Sequence, residues 1–212
     1  MTKITLEVAQ KIKILFDSKI FIIDDGRIYK RVTDVFYIRY CGKDYEFKTA
    51  NVLKYLNGEY VSFVRMKTAE VYEFIKSKMY TKEILLFNNY IYKYYGSKHE
   101  RGYIFFNITI DGKLYRSFAH RIIYFLNTGI WDNTYIIHHK DSNKSNNNFK
   151  NLELTTQFEN ILYSIKSEEL PIIDEDTPRL LKEKYSLNEE QYKQVYSAVN
   201  NVLEKYKTKN IF

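Results

Sequence analysis

The sequence predicts an α+β fold in which a helix and a small antiparallel sheet occur twice. The second copy runs into a strand, loop, strand and helix unit, and a helical hairpin closes the chain. Three observations carry this. Shifted by 63 residues, positions 5–30 fall on positions 68–93 without a gap, and nine of the twenty-six pairs are identical, Thr5/Thr68, Ile12/Ile75 and Tyr29/Tyr92 among them; such self-similarity marks a duplicated unit. Apolar residues alternate on both sides of Asp111-Gly112, a strong hairpin signal. Two β-branched runs separated by a polar loop then precede Thr156 and Glu159, whose spacing makes a capping box.

The first copy, residues 1–66, opens with a helix after Thr5 that places Val8, Ile12 and Leu15 on one face. The second begins at 67 and repeats this after Thr68, with Val71, Phe74, Ile75 and Met79. Each helix leads into a short strand, a β-hairpin and a second helix, and after an insertion in the second copy VLKYLNG (52–58) is echoed by IIYFLNTG (122–129). Counting outward from Asp111-Gly112 sets Ile104, Phe106, Ile108, Ile110 and Tyr115 on one face, with Asn107, Thr109 and Arg116 on the other. The same count about Gly42-Lys43 groups Ile38, Tyr40, Tyr45 and Phe47 against Tyr37, Arg39 and Lys48. A sheet with one apolar and one polar, cationic face packs its helix on the first and can lay the second in a major groove. His120 reads as a structural histidine at the hairpin-to-helix junction, with Arg121 beside it as a phosphate contact, and His99 as an exposed loop residue. Ala50 stands where the second copy has His120.

Tyr135 to Asn160 holds the chemistry. Thr134 to Ile137 reads as a strand, Lys140 to Asn148 as a polar loop, Leu152 to Thr156 as a returning strand and Gln157 to Lys166 as a helix. Neighbouring side chains on a strand point to opposite faces, so His138 and His139 can share a site only where the first strand ends and bends. One imidazole can then hold a divalent cation while the other takes a proton from water. Asn151 can accept a hydrogen bond from the far ring nitrogen of His139, and Asn160 can bring an oxygen ligand across from His138. Glu159 is assigned to the helix cap. The run SNKSNNN reads as a solvated loop apart from Lys144, and Lys140 adds a second cation at its start.

IHHKDSNKSNNNFKNLELTTQFEN resembles the HNH endonuclease motif. More widely, residues 102–160 resemble phage and intron-encoded homing enzymes that carry an AP2-like DNA-binding fold just before it. The likeness rests on Asp111-Gly112-Lys113, His120-Arg121, His139, Asp141, Asn146-Asn147, Asn151-Leu152 and Glu159-Asn160. It implies a ββα-metal site in which His138 and Asn160 hold one Mg²⁺ or Mn²⁺, His139 is the general base and Asn151 orients that base. Ser142 departs from the glycine that many relatives carry, and Asn148 from a common arginine.

Composition agrees with a polyanionic partner. The net charge is +7, and because residues 168–212 carry 7 basic and 9 acidic side chains, residues 1–167 hold +9. Most of the 21 tyrosines and 14 phenylalanines fit an AT-rich coding sequence better than base-stacking platforms. A single Cys41 excludes an intrachain disulfide and a cysteine-based zinc finger. No run of about eighteen apolar residues and no signal-peptide pattern occurs, so a soluble, cytoplasmic protein with no membrane partner is expected.

Residues 167–178, with both prolines and an acidic cluster, read as a linker after a second-copy-plus-HNH region spanning 67–166 (HNH core 134–166). The last segment, 179–212, is expected to form a helical hairpin, with helix starts at Thr177-Pro178 and at a Ser186/Glu189 capping box. It would be a small helix-turn-helix, a brace on the body or a homodimer contact; the alternative to the dimer is a monomer.

The resulting expectation is a metal-dependent endonuclease acting on double-stranded DNA. Its expected DNA contacts are Asn107, Thr109, Lys113, Arg116, Arg121, Lys140 and Lys144, with Tyr37, Arg39 and Lys48 on the first copy. The rival readings are an inert DNA-binding regulator, an RNA-binding or RNA-cleaving protein, and a structural-zinc scaffold.

Overall fold

The computed structural model describes residues 4–61, 66–167, 170 and 173–209; residues 168, 169, 171 and 172 of the expected linker lie outside these. The chain forms two compact units, Met1–Trp131 with His139–Leu152, and Asp132–His138 with Glu153–Phe212. Among the described residues, several small sheets and seven helices make an α+β protein. Among the described residues, no helix is long and apolar enough to cross a membrane.

In the first unit, α1 (Leu6–Asp17) is capped by the Thr5 hydroxyl, which accepts from the Val8 amide, and it buries Val8, Ala9, Ile12 and Phe16. Strands β1 (Phe21–Asp24) and β2 (Arg27–Arg31) follow, then a hairpin of β3 (Val35–Tyr40) and β4 (Lys43–Lys48), then α2 (Thr49–Leu56). The order recurs in α3 (Met66–Tyr80), β5 (Ile84–Phe87), β6 (Tyr90–Tyr94), the short β7 (Ser97–Lys98), β8 (Ile104–Ile110), β9 (Lys113–Phe118) and α4 (Ala119–Thr128). Thr68 lies inside the first turn of α3 rather than at its cap, because that helix starts at Met66.

The pairing reproduces the offset of 63. Phe21 faces Lys30 as Ile84 faces Lys93, and Asp24 faces Arg27 as Phe87 faces Tyr90. The two strand pairs merge into one four-stranded sheet, β1-β2-β6-β5, in which Lys30 pairs with Lys93, its own counterpart. The Tyr29 hydroxyl donates to the Lys82 carbonyl and the Tyr92 hydroxyl to the Lys19 carbonyl, both at 3.0 Å. This reciprocal exchange ties each copy to the other, and fusing two hairpins gives a sheet that neither would sustain alone. Beyond it the offset becomes 70, since Val35 faces Lys48 as Phe105 faces Phe118. Phe36, Val52, Val71, Tyr72, Ile75, Ile84 and Ile91 form one core cluster there.

The remaining elements are β10 (Ile136–His139), a 3₁₀ turn (Phe149–Asn151), β11 (Leu152–Thr155), α5 (Gln157–Lys166), α6 (Thr177–Tyr185) and α7 (Glu189–Lys209). Strands β10 and β11 pair as a two-stranded sheet. In the second unit Ile161 and Ile165 of α5 pack with Leu187 and with Val195, Val199 and Val202 of α7, so the C-terminal helices brace α5. The capping box before α7 is not Ser186/Glu189. Ser186 ends α6 in the left-handed region at φ 51°, while Asn188 and Gln191 exchange side-chain and backbone hydrogen bonds. Glu189 instead pairs with Lys182.

Candidate active site

The loop after β10 is folded by its own short polar side chains. Asp141, Asn143, Asn146 and Asn148 each accept a hydrogen bond from the backbone amide two residues on, the local bonding that favours turns over strand or helix. Ser142 sits at φ 59°, in the region where glycine is at ease. The Asp141 carboxylate accepts from the side-chain amides of Asn146 (2.7 Å) and Asn151 (2.8 Å). These bonds, that from Asn146 first, hold its carboxyl below the usual carboxylate range.

Asn147 is the loop asparagine left out of that series, and it points inward. It is 2% exposed, and its Oδ1 lies 3.1 Å from Nε2 of His139, itself 4% exposed. An amide oxygen facing the ring suits the tautomer in which Nε2 carries the hydrogen. Asn151, expected to make this contact, does not. Its Oδ1 accepts from the Asp141 amide, and its Nδ2 donates to Asp141 and to the Asn146 carbonyl. The 3₁₀ turn that ends at Asn151 aims its side chain into the loop, where it locks the loop rather than the imidazole. Asn147 carries the family likeness together with Asn146, but nothing in the sequence showed which of the loop asparagines would face His139.

An aromatic array backs His139. The His120 ring meets it edge-on at 5.0 Å, Tyr103 lies 5.9 Å away, and His120 stacks on Phe118 at 5.4 Å. His120 is thus a buried neighbour of the expected base as well as a junction residue. Burial, reinforced by the neighbouring His139 ring and Arg121, pushes its pKa down to about 3. The unfolded imidazole titrates near 6.5, so between those values the unfolded chain binds a proton that the folded one refuses. Stability is therefore whole above about pH 6.5 and falls as the pH drops, by about 2 kcal/mol by about pH 5. Denaturant melts at about pH 7 and pH 5 should show this loss, and His120→Phe should remove it; an equal acid loss in the variant refutes the assignment.

His138 occupies the other unit. Its ring stacks on Tyr163 of α5 at 4.4 Å, with planes 12° apart. Tyr163 lies three residues beyond Asn160, on the same helix face. Among the described residues no hydrogen bond claims the His138 ring or the Asn160 side-chain amide. An imidazole nitrogen of His138 and the amide oxygen of Asn160 are thus not taken up by other side chains, and no group of three or more His, Cys, Asp or Glu forms a cation site among the described residues. Two neutral donors suit a hard ion completed by water and phosphate oxygens, not structural zinc. Glu159 is taken up by the cap, its carboxylate accepting from the Thr156 amide at 2.7 Å.

Residues 117–161 match the family model described as HNH endonuclease. That segment is similar to HNH endonucleases. It contains His120, both histidines of β10, the asparagine-rich loop and Asn160. A solved structure described as "DNA binding and cleavage by the HNH homing endonuclease I-HmuI" is also similar, at 23% identity and a TM-score of 0.34. It covers 44% of this chain and 53% of that chain, so this chain spans about half the length of that relative. No curated protein matches.

The expected DNA contacts are scattered over differing environments. Thr109 and Lys113 are exposed near the tip of the β8–β9 hairpin. Arg116 is engaged within the protein, its Nε donating to Asn107 and its guanidinium lying 4.8 Å over Phe105. Phe105 and Phe118 stack on that same face at 5.0 Å, with His99 edge-on to both. That face is therefore part aromatic rather than wholly polar, and His99 is half-buried under it rather than exposed. Arg121 lies over Trp131, Lys144 over Tyr103, and Lys140 donates to the Lys150 carbonyl. On the first copy, Lys48 is exposed, Tyr37 faces Glu46 and Arg39 faces Asp44, so acidic partners offset the cations of that hairpin.

Proposed function

We propose that this protein is a metal-dependent endonuclease that hydrolyses phosphodiester bonds in double-stranded DNA. What supports this most is the buried His139–Asn147 pair inside the HNH-matching segment. His139, with Nε2 held by Asn147, takes the proton from the attacking water at Nδ1. His138 and Asn160 would hold one Mg²⁺ or Mn²⁺, which when bound polarises the scissile phosphate and stabilises the leaving 3′ oxygen. Asn151 supports the base indirectly, by fixing the loop through Asp141. Residues 67–166 act as an AP2-like sheet joined to the HNH core, and residues 1–66 as a second AP2-like copy without catalysis. Thr109, Lys113, Arg121, Lys140 and Lys144 supply the cationic and polar contacts to the backbone of the duplex, with Asn107 and Arg116 on the same sheet. The near-neutral first hairpin makes Tyr37, Arg39 and Lys48 weaker contacts.

Supercoiled plasmid incubated with the protein and Mg²⁺ or Mn²⁺ should become nicked or linear, and EDTA should prevent it. A plasmid left intact with either metal would overturn the reading, as would cleavage of RNA with DNA untouched.

A further inference from the structure

We propose that the turn between β1 and β2, Asp25–Gly26, clamps the loop of the HNH segment and sets Asn147 against His139, which makes Gly26 a positioning residue for cleavage. This rests on the nuclease reading above. The first copy then serves the site from within, whatever it contributes to DNA binding.

The contact is between backbones. A Cβ placed on Gly26 would lie 2.3 Å from the Asn148 amide nitrogen, 2.6 Å from the Asn147 carbonyl carbon and 2.9 Å from Asn148 Cα. All three belong to peptide groups, so no side-chain rotation relieves the overlap. Beside it, the Asp25 carboxylate takes a 2.7 Å hydrogen bond from Lys82. Lys82 first, and the Asn148 side chain after it, hold that carboxyl below its ordinary range. The turn therefore touches the loop through one close backbone approach, with the Asp25 carboxylate near the Asn148 side chain, at the two residues beginning with the partner of His139.

The duplication supplies an internal control. At the offset of 63, Asp25 and Gly26 correspond to Asn88 and Asn89, which turn between β5 and β6 with φ of 48° and 58°, against 47° and 70° for the first copy. The same turn thus accommodates asparagine at both positions, and backbone angle alone does not demand glycine at 26. Asn88 and Asn89 are exposed, whereas the counterpart turn abuts the loop. The glycine marks the copy whose turn has a neighbour.

Asp25→Asn/Gly26→Asn gives the first turn the residues of the second. It should fold, slow single-turnover cleavage at saturating enzyme by about 10- to 100-fold as the loop shifts, and leave the affinity for DNA unchanged. The signals of the Asn147 and Asn148 amides and of His139 Nε2 in ¹⁵N NMR spectra should move. Combined with Asn147→Ala, the turn substitutions should add no further loss. Asp25→Asn alone, which introduces no bulk, should shift the same signals less, and Asn89→Gly should be silent. Wild-type rate and unmoved loop signals in the double variant would overturn the clamp, as would a purely additive loss with Asn147→Ala. The NMR readout needs no cleavage, so moved signals in a protein that cuts no DNA would retain the clamp and reject the nuclease.

Discussion

His139→Ala is expected to slow plasmid cleavage by about 10² to 10⁴, the range that a positioned general base typically contributes, with DNA binding retained. The ring is nearly closed off from solvent and packed by His120 and Tyr103, so its loss leaves a cavity as well as a missing base. Destabilisation must therefore be separated from catalysis. His139→Gln answers this, because it fills more of the space and keeps a hydrogen-bonding group near Asn147 while lacking a basic nitrogen. Both variants should bind duplex DNA as the wild type does and cut it only at the slow rate. A variant that binds and cuts normally would move the base elsewhere and leave the His139–Asn147 pair as packing.

Local chemistry was legible in the sequence where neighbours in the chain decide the structure. Helix α5 spans Gln157–Lys166 as expected because its cap is a reciprocal bond between Thr156 and Glu159, three residues apart. The strand facing of Ile108 and Tyr115 followed from a two-residue turn and strict alternation. Local competition hid other features. The β-branched run at Thr134 opens as a turn, since Asp132 accepts from both the amide and the hydroxyl of Thr134, and β10 starts at Ile136 and carries both histidines to its end. Which asparagine meets His139 depended on a relay of turns that uses the neighbours of Asn147 and leaves it over. Ser186 lost its capping role to Asn188 because α6 needed a left-handed terminator there. The approach of Gly26 to Asn147 and Asn148 spans more than a hundred residues, and no periodicity or motif encodes it.

Removing the metal is expected to cost at least as much as removing the base. Lewis-acid stabilisation of phosphate charge contributes several kcal/mol, of the same order as the 10² to 10⁴ of the base, so chelation should slow cleavage at least as far as His139→Ala does. His138 and Asn160 are the donors to test, and they differ in how they are held. His138 is stacked on Tyr163, whereas Asn160 stands in the first turn of a helix fixed by its cap and by the C-terminal helices. Titrating Mn²⁺ into the protein–DNA complex, read by electron paramagnetic resonance, should find one site per chain. In His138→Ala or Asn160→Ala its affinity should fall by more than the roughly 10- to 100-fold that loss of an outer hydrogen-bond partner costs. Since the two residues share one ion, the double variant should be no worse in cleavage than the weaker single one. Unchanged Mn²⁺ binding in both single variants would place the ion on other residues, and full cleavage in EDTA would remove metal from the mechanism.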